Sequence, residues 1–254
     1  MDSSGERPQP REDVVHRAEN LAKGAELRLP AWLQPGNPES RWPVLAALVA
    51  AIVMQRAIPV AYTVVGVPRW PLIGMELLLL VILVTINPNR LTRDTTYGRW
   101  ASFVLLAAIT IDNTASAVLL DYRILTGEVS NDPEVLLGSG AAVFITNIIV
   151  FGIWYWEIDL GGPFARAAPL AKRNPKRRYP DFLFPQMDVR QAAPKDWEPR
   201  FLDYLYVSLT NVMAFSPTDT MPLTRRAKGM MTVQALVAVS TIALVFARAV
   251  NVLR

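Results

Sequence analysis

Three ionisable residues stand inside long apolar runs: Arg56, Glu76 and Asp112. Burying a charge in lipid costs about 2.5–3.5 kcal/mol even on insertion scales, so such residues face a partner or water. If successive apolar runs alternate in direction, all three fall in one half of a bilayer and form an intramembrane charge cluster, with Asn113, Thr114 and Asn147 able to hydrogen-bond around it. The competing reading is that Arg56 and Glu76 snorkel to the interface from near a helix end. Asp112 lies about 12 Å from the end of its run at about 1.5 Å per residue, too deep for its short side chain to do so. Glu76 and Asp112 could serve as an acid/base pair, but no nucleophile or metal-ligand spacing accompanies them. There is no cysteine, and His16, the one histidine, stands alone in a polar stretch. Thiolate chemistry, disulfides, a histidine-based metal site and a Ser-His-Asp triad are therefore not expected, nor is any cofactor.

These residues sit in a chain that is 52% hydrophobic, with a mean hydropathy of +0.23, a composition suited to a membrane bundle. A span takes roughly 20 apolar residues, and five segments qualify. They run from Trp42 to about Ile58, where Pro59 stops the helix, from Pro71 to Ile86, from Trp100 to Leu120, from Val135 to Trp156, and from Ala227 to Leu253. Trp42 and the Trp154-Tyr155-Trp156 belt mark interfaces. Phe201–Ser216 is too short and too polar to span and predicts a re-entrant helix, with a cavity near residues 211–222, because lipid cannot satisfy irregular backbone. The expected fold is an all-α polytopic membrane helix bundle of about five spans plus this short re-entrant helix.

Four regions follow. Residues 1–40 form a charged tail in which Val14, Ala18, Leu21, Ala25 and Leu29 recur at helical spacing, amphipathic or disordered. Residues 41–157 hold four spans, 158–200 a basic, proline-rich loop, and 201–254 the re-entrant helix, a polar loop and the last span. Lys and Arg crowd the tail, residues 87–99 and residues 158–228, leaving Arg69, Arg123 and Arg254 on the other side. That asymmetry predicts a cytoplasmic N-terminus. Within the loop, Lys172, Arg173, Lys176, Arg177 and Arg178 follow Arg166 without an intervening carboxylate, a pattern for anionic lipid headgroups or a cytosolic partner. No nucleic-acid module accompanies them.

The C-terminal stretch carries a resemblance. A short helix with Tyr204, Tyr206 and Thr210, a loop with Asp219, Pro222 and Thr224, and a long apolar helix are similar in order to the pore module of two-span potassium channels. The filter differs: Ala214-Phe215-Ser216-Pro217-Thr218 stands where that family has Thr-Val-Gly-Tyr-Gly, so potassium selectivity is not implied. The charge count also puts this loop inside, whereas the channels have it outside. The chain more closely resembles families of bacterial inner-membrane proteins without an assigned activity, through Tyr204, Tyr206, Ser216, Thr218, Asp219, Arg225, Arg226 and Asn251. That likeness implies location and architecture, not a reaction.

Two functions remain open. One is a channel-like or transport protein for inorganic ions, with Thr210, Asn211, Ser216, Thr218 and Asp219 lining a polar cavity. A short re-entrant helix cannot enclose a pore alone, so this reading implies a homo-oligomer; Gly138 with Ala142, and Gly229 with Val233, offer small-residue packing signals. The other is a non-conducting membrane protein that binds lipid or a partner through the basic loop. At Asp219 the bland reading is a cap on the turn into the last helix, with Thr218 and Thr220 satisfying backbone groups.

Overall fold

In a computed structural model, the described residues are 38–58, 70–86, 96–129, 132–169, 179–189, 191, 193–194, 196–213 and 219–252. The structure is helical, with α1 at Trp42–Met54, α2 at Trp70–Ile86, α3 at Thr96–Thr126 and α4 at Pro133–Ile158. The short helices α5 (Pro163–Ala167) and α6 (Pro185–Asp188) follow, then α7 (Phe201–Met213) and α8 (Arg225–Val252). Two-residue strands β1 (Phe182–Leu183) and β2 (Met221–Pro222) pair antiparallel, Phe182 with Pro222 and Leu183 with Met221.

Local sequence sets these boundaries. Pro43 and Pro133 occupy first-turn positions, where a missing N–H costs nothing, and the Asp132 carboxylate accepts from Glu134 N at the start of α4. α1 tightens into a 3-10 turn over Gln55–Ala57, and Ile58 is extended, as a residue before proline prefers.

Three helices are long and apolar enough to cross a membrane: Tyr97–Thr126, Pro133–Gly161 and Arg225–Val252. Two shorter apolar helices, Trp42–Met54 and Leu72–Ile82, lie where the first two spans were predicted. The long helices are not equivalent. In α4, 67% of the apolar window is buried, against 39% in α3 and 22% in α8, so α4 is the axis on which the others pack. The outward faces of the remainder are apolar: Leu78, Val81, Ile111, Val118, Leu236 and Phe246 are all exposed. So broad an apolar exterior is what a lipid-facing surface requires.

α7 is amphipathic. It buries Phe201, Tyr204, Val207, Ser208 and Val212 while exposing Leu202, Tyr206, Leu209 and Met213. It runs antiparallel to α4: Tyr204 meets Asp159 at α4's end, Leu205 crosses Gly152, and Ser208 Oγ donates to the carbonyl of Ile148 at 2.6 Å. The chain is back beside α4's end by Met221, where β2 pairs with β1. A Cβ on Gly152 would sit 3.1 Å from the Leu205 Cα, so glycine is what allows these two backbones to approach. Gly140 does the same against Val245 of α8, where a Cβ would meet the valine methyls at 2.8 and 3.0 Å. By contrast Gly138 and Gly229, singled out by spacing, meet nothing within 4 Å.

Gly152→Val should therefore destabilise the purified protein by about 1–3 kcal/mol through overpacking against α7. Gly229→Ala should change stability by less than about 0.5 kcal/mol. Unfolding in detergent, followed by circular dichroism, compares the two; equal effects would mean the α4–α7 contact is not tight.

Candidate functional site

The polar residues with the most partners lie at the C-terminal end of α4. The helix stops through a run of left-handed backbone: Leu160 at φ 52°, Gly161 at 91° and Gly162 at 95°. Glycine adopts this conformation freely, but Leu160 does not, and it is held there by near-complete burial. A Cβ at Gly162 would also sit 3.0 Å from the Glu157 carbonyl oxygen. The reversal folds α5 back along α4, and Arg166 then donates through Nη1 to the carbonyls of Trp156 (2.8 Å) and Asp159 (2.9 Å). The Asp159 carbonyl also accepts from Gly162 N at 2.9 Å, and both carbonyls lie at the negative end of the helix dipole, which suits a guanidinium.

Around this cap lie two fully buried carboxylates, Asp159 and Asp181. Asp159 Oδ1 accepts from Asp181 N at 2.6 Å and Oδ2 accepts from the Tyr204 hydroxyl at 2.6 Å. Asp181 accepts from the Thr224 hydroxyl and from Arg226 Nε (2.6 Å) and Nη2. Arg226 Nη2 also reaches the Ile158 carbonyl at 2.8 Å, another α4 terminus. Bidentate pairing of this kind makes charge-assisted bonds with fixed geometry. Glu39, just before α1, joins by accepting from Trp156 Nε1 (2.8 Å) and Phe201 N (2.6 Å), with Arg166 Nη2 3.9 Å from its Oε2. One cluster thus ties α1, α4, α5, β1, α7 and α8. Burial alone would disfavour the Arg166 charge, yet Tyr204, Asp159, Glu39 and Glu157 around it outweigh that and hold its pKa above the ordinary arginine value. Burial pushes the Glu198 carboxyl up, partly offset by Arg200 beside it.

A second network continues inward between α4, α7 and α8. Tyr155 OH donates to Gln234 Oε1 at 2.6 Å, Gln234 Nε2 donates to Ser208 Oγ at 2.7 Å, and Asn211 Nδ2 donates to Gln234 Oε1 at 2.9 Å and to the Met231 carbonyl at 3.0 Å.

Against this frame the residues marked by sequence separate. Asn211 binds α8, and the Thr210 hydroxyl bonds back to the Tyr206 carbonyl of its own helix. Asp219 is exposed, while Ser216 and Thr218 lie outside the described residues. Beside Asn211 is an open groove of about 470 Å³, bounded by Pro222, Lys228, Met231, Leu236 and Val239, mostly apolar side chains. Arg56 is exposed and lies over the Trp70 ring, 4.3 Å from its centroid, whereas Glu76 is buried and accepts from Gln55 Nε2 at 3.1 Å. Asp112 is half-buried. Lys172, Arg173, Lys176, Arg177 and Arg178 lie outside the described residues, as does the predicted tail helix through Val14–Leu29. Asp159, Asp181 and Gln234 were not singled out by sequence, although the Leu160-Gly161-Gly162-Pro163 run was a signal of a sharp stop after α4.

The bonds of Asp159 and Asp181 tie the α4 terminus to α7 and α8, and among the described residues no group of three or more His, Cys, Asp or Glu could hold a metal. Tyr204→Phe should cost about 1–3 kcal/mol, because it leaves a lone pair of buried Asp159 unsatisfied. Tyr206→Phe, two residues on and exposed, should stay within about 0.5 kcal/mol. Chemical unfolding in detergent distinguishes them, and a Tyr204 effect no larger than that of Tyr206 would remove the cluster's claim to anchor α7. No family model, curated protein or solved structure matches this chain.

Proposed function

We propose that this is a channel-like or transport protein of the bacterial cell membrane, with five spans and α7 as a re-entrant helix. One observation carries it: α7 descends along α4 from Asp159 to the level of Ile148, midway along that helix, and the chain returns to β1 by Met221. A helix that enters and leaves on one side is an arrangement that membranes tolerate only beside protein or water. The amphipathic face of α7 and the groove at Asn211 place its polar end against α8. In this reading α1 and α2 complete the five spans, with about 25 Å of helix in α2 at about 1.5 Å per residue. Exposed Trp42, Trp70 and Trp100 at the starts of α1, α2 and α3 serve as interface anchors. The α4 terminus, with Arg166 and Arg226, faces the cytoplasm. The likeness to two-span channel pore modules supports the order of elements, and the absent glycine filter argues against potassium as the ion.

A second reading keeps the architecture but makes residues 170–178 the working part. Pro169 and Tyr179, the described residues flanking that segment, are both exposed. Arg166 is held by the buried cluster, so in the run from Arg166 to Arg178 the cations left for anionic headgroups are Lys172, Arg173, Lys176, Arg177 and Arg178.

A phosphatase reporter fused after Arg254 should be active outside the cytoplasm; a cytoplasmic score would overturn the five-span topology. In liposomes, the folded wild-type protein should conduct or transport monovalent ions, and Asp219→Asn should reduce the flux severalfold. No flux from well-folded protein, together with binding to anionic vesicles that alanines at the five loop cations abolish, would replace transport by the second reading.

A further inference from the structure

The open groove beside Asn211 follows one face of α8. Lys228, Met231, Thr232, Ala235, Leu236 and Val239 line it at the three- and four-residue spacing of a helix face, and Asn211 of α7 and Pro222 of β2 bound it. From Lys228 to Val239 the helix advances about 16 Å at about 1.5 Å per residue, roughly half of the ~30 Å hydrocarbon thickness of a bilayer. The groove therefore starts in the opening turn of α8 and ends about one leaflet deeper. Its volume of about 470 Å³ is that of a small-ligand site.

The groove is charged at one end only. Lys228 is exposed, whereas the side chains of Ala235, Leu236 and Val239 at the other end offer only hydrocarbon. Between them, Asn211 Nδ2 is committed to the Met231 carbonyl and to Gln234, and the Thr232 hydroxyl donates to the Lys228 carbonyl at 2.9 Å. The Lys228 ammonium is left to face a ligand. Among the described residues it enters no ion pair: Asp181 is taken by Arg226, the first turn of α8 holds no acid, and Asp219 does not line the groove. Arg225, three residues earlier on α8, is exposed and adds a second cation on that side of the helix.

We infer that this groove holds one anionic phospholipid of the surrounding bilayer, its phosphate at Lys228 and an acyl chain along Met231, Leu236 and Val239. Charge and apolar length are matched together only by such a molecule: a small anion would leave the hydrocarbon wall uncovered, and a neutral lipid would leave Lys228 unpaired. The inference rests on α8 crossing a membrane, not on ion passage, and it uses none of the loop cations between residues 172 and 178.

The test is native mass spectrometry of the full-length protein in a neutral detergent, titrated with phosphatidylglycerol or with phosphatidylcholine. Wild type should retain one phosphatidylglycerol more tightly than any phosphatidylcholine. Lys228→Gln should weaken phosphatidylglycerol binding about fivefold, the worth of one cation near a headgroup, and leave phosphatidylcholine unchanged. Ala235→Trp, which fills the groove without altering charge, should weaken both severalfold. Alanines at the five loop cations should leave the tightest site in place. Equal affinity of wild type for the two lipids, or phosphatidylglycerol binding unchanged in a folded variant of either groove residue, would overturn the site. Loss of the tightest site on the loop alanines instead would overturn it in favour of the loop. Retention of the lipid without liposome flux would leave the site standing and bring down the transport reading alone.

Discussion

The C-terminus of α4 is the constraint on which the rest depends. A helix end exposes carbonyls that must find donors, and here those of Trp156, Ile158 and Asp159 are met by two arginines, Arg166 and Arg226. Arg166 is buried and Arg226 lies at the surface, and the buried Asp159 and Asp181 supply the carboxylates near them. Each carboxylate in turn recruits donors from elements far away in sequence: Tyr204 from α7, Thr224 and Arg226 from the start of α8, and the backbone of Asp181 before β1. Removing one member would strand another in a setting where an uncompensated charge costs several kcal/mol. The cluster therefore behaves as a single joint.

That joint explains the position of α7. A thirteen-residue amphipathic helix has no claim to a fixed place by propensity alone. It is held at its entry by Tyr204 on Asp159 and by Phe201 N on Glu39, along its length by the gap at Gly152, and at its far end by Ser208 and Asn211 on α4 and α8. Aromatic contacts of Phe182 with Tyr155 and Tyr204, and of Phe184 with Tyr204, fill the space around the joint. Polar bonds choose the orientation, and ring packing excludes water from them.

The three long helices divide the remaining work. α4 is enclosed, while α3 and α8 present apolar faces outward. Along α3, α4 and α8, polar residues as well as aliphatic ones are buried, among them Asn113, Asn147 and Thr241. A packed bundle has no structural need of such residues, since Ala and Leu fill the same volume without a desolvation cost.

The sequence by itself determined where the helices lie, because apolar run length, prolines and tryptophans act locally: each predicted apolar segment overlaps a helix, although α3 extends beyond its predicted ends to Thr96 and Thr126 and three helices are long enough to cross a membrane. It also determined that thiol and histidine chemistry are unavailable. It did not disclose the joint, since the bonded pairs among Asp159, Asp181, Tyr204 and Arg226 are separated by 22 to 45 positions along the chain and share no period. Arg166 registered as part of a basic run and Arg226 as part of a family likeness, though both are committed to helix-end carbonyls. Spacing likewise grouped Arg56 with Glu76, whereas the tertiary structure gives Arg56 the face of Trp70 and Glu76 the amide of Gln55. Side-chain partners depend on the rotation of each helix about its axis, which is set by packing against neighbours distant in sequence.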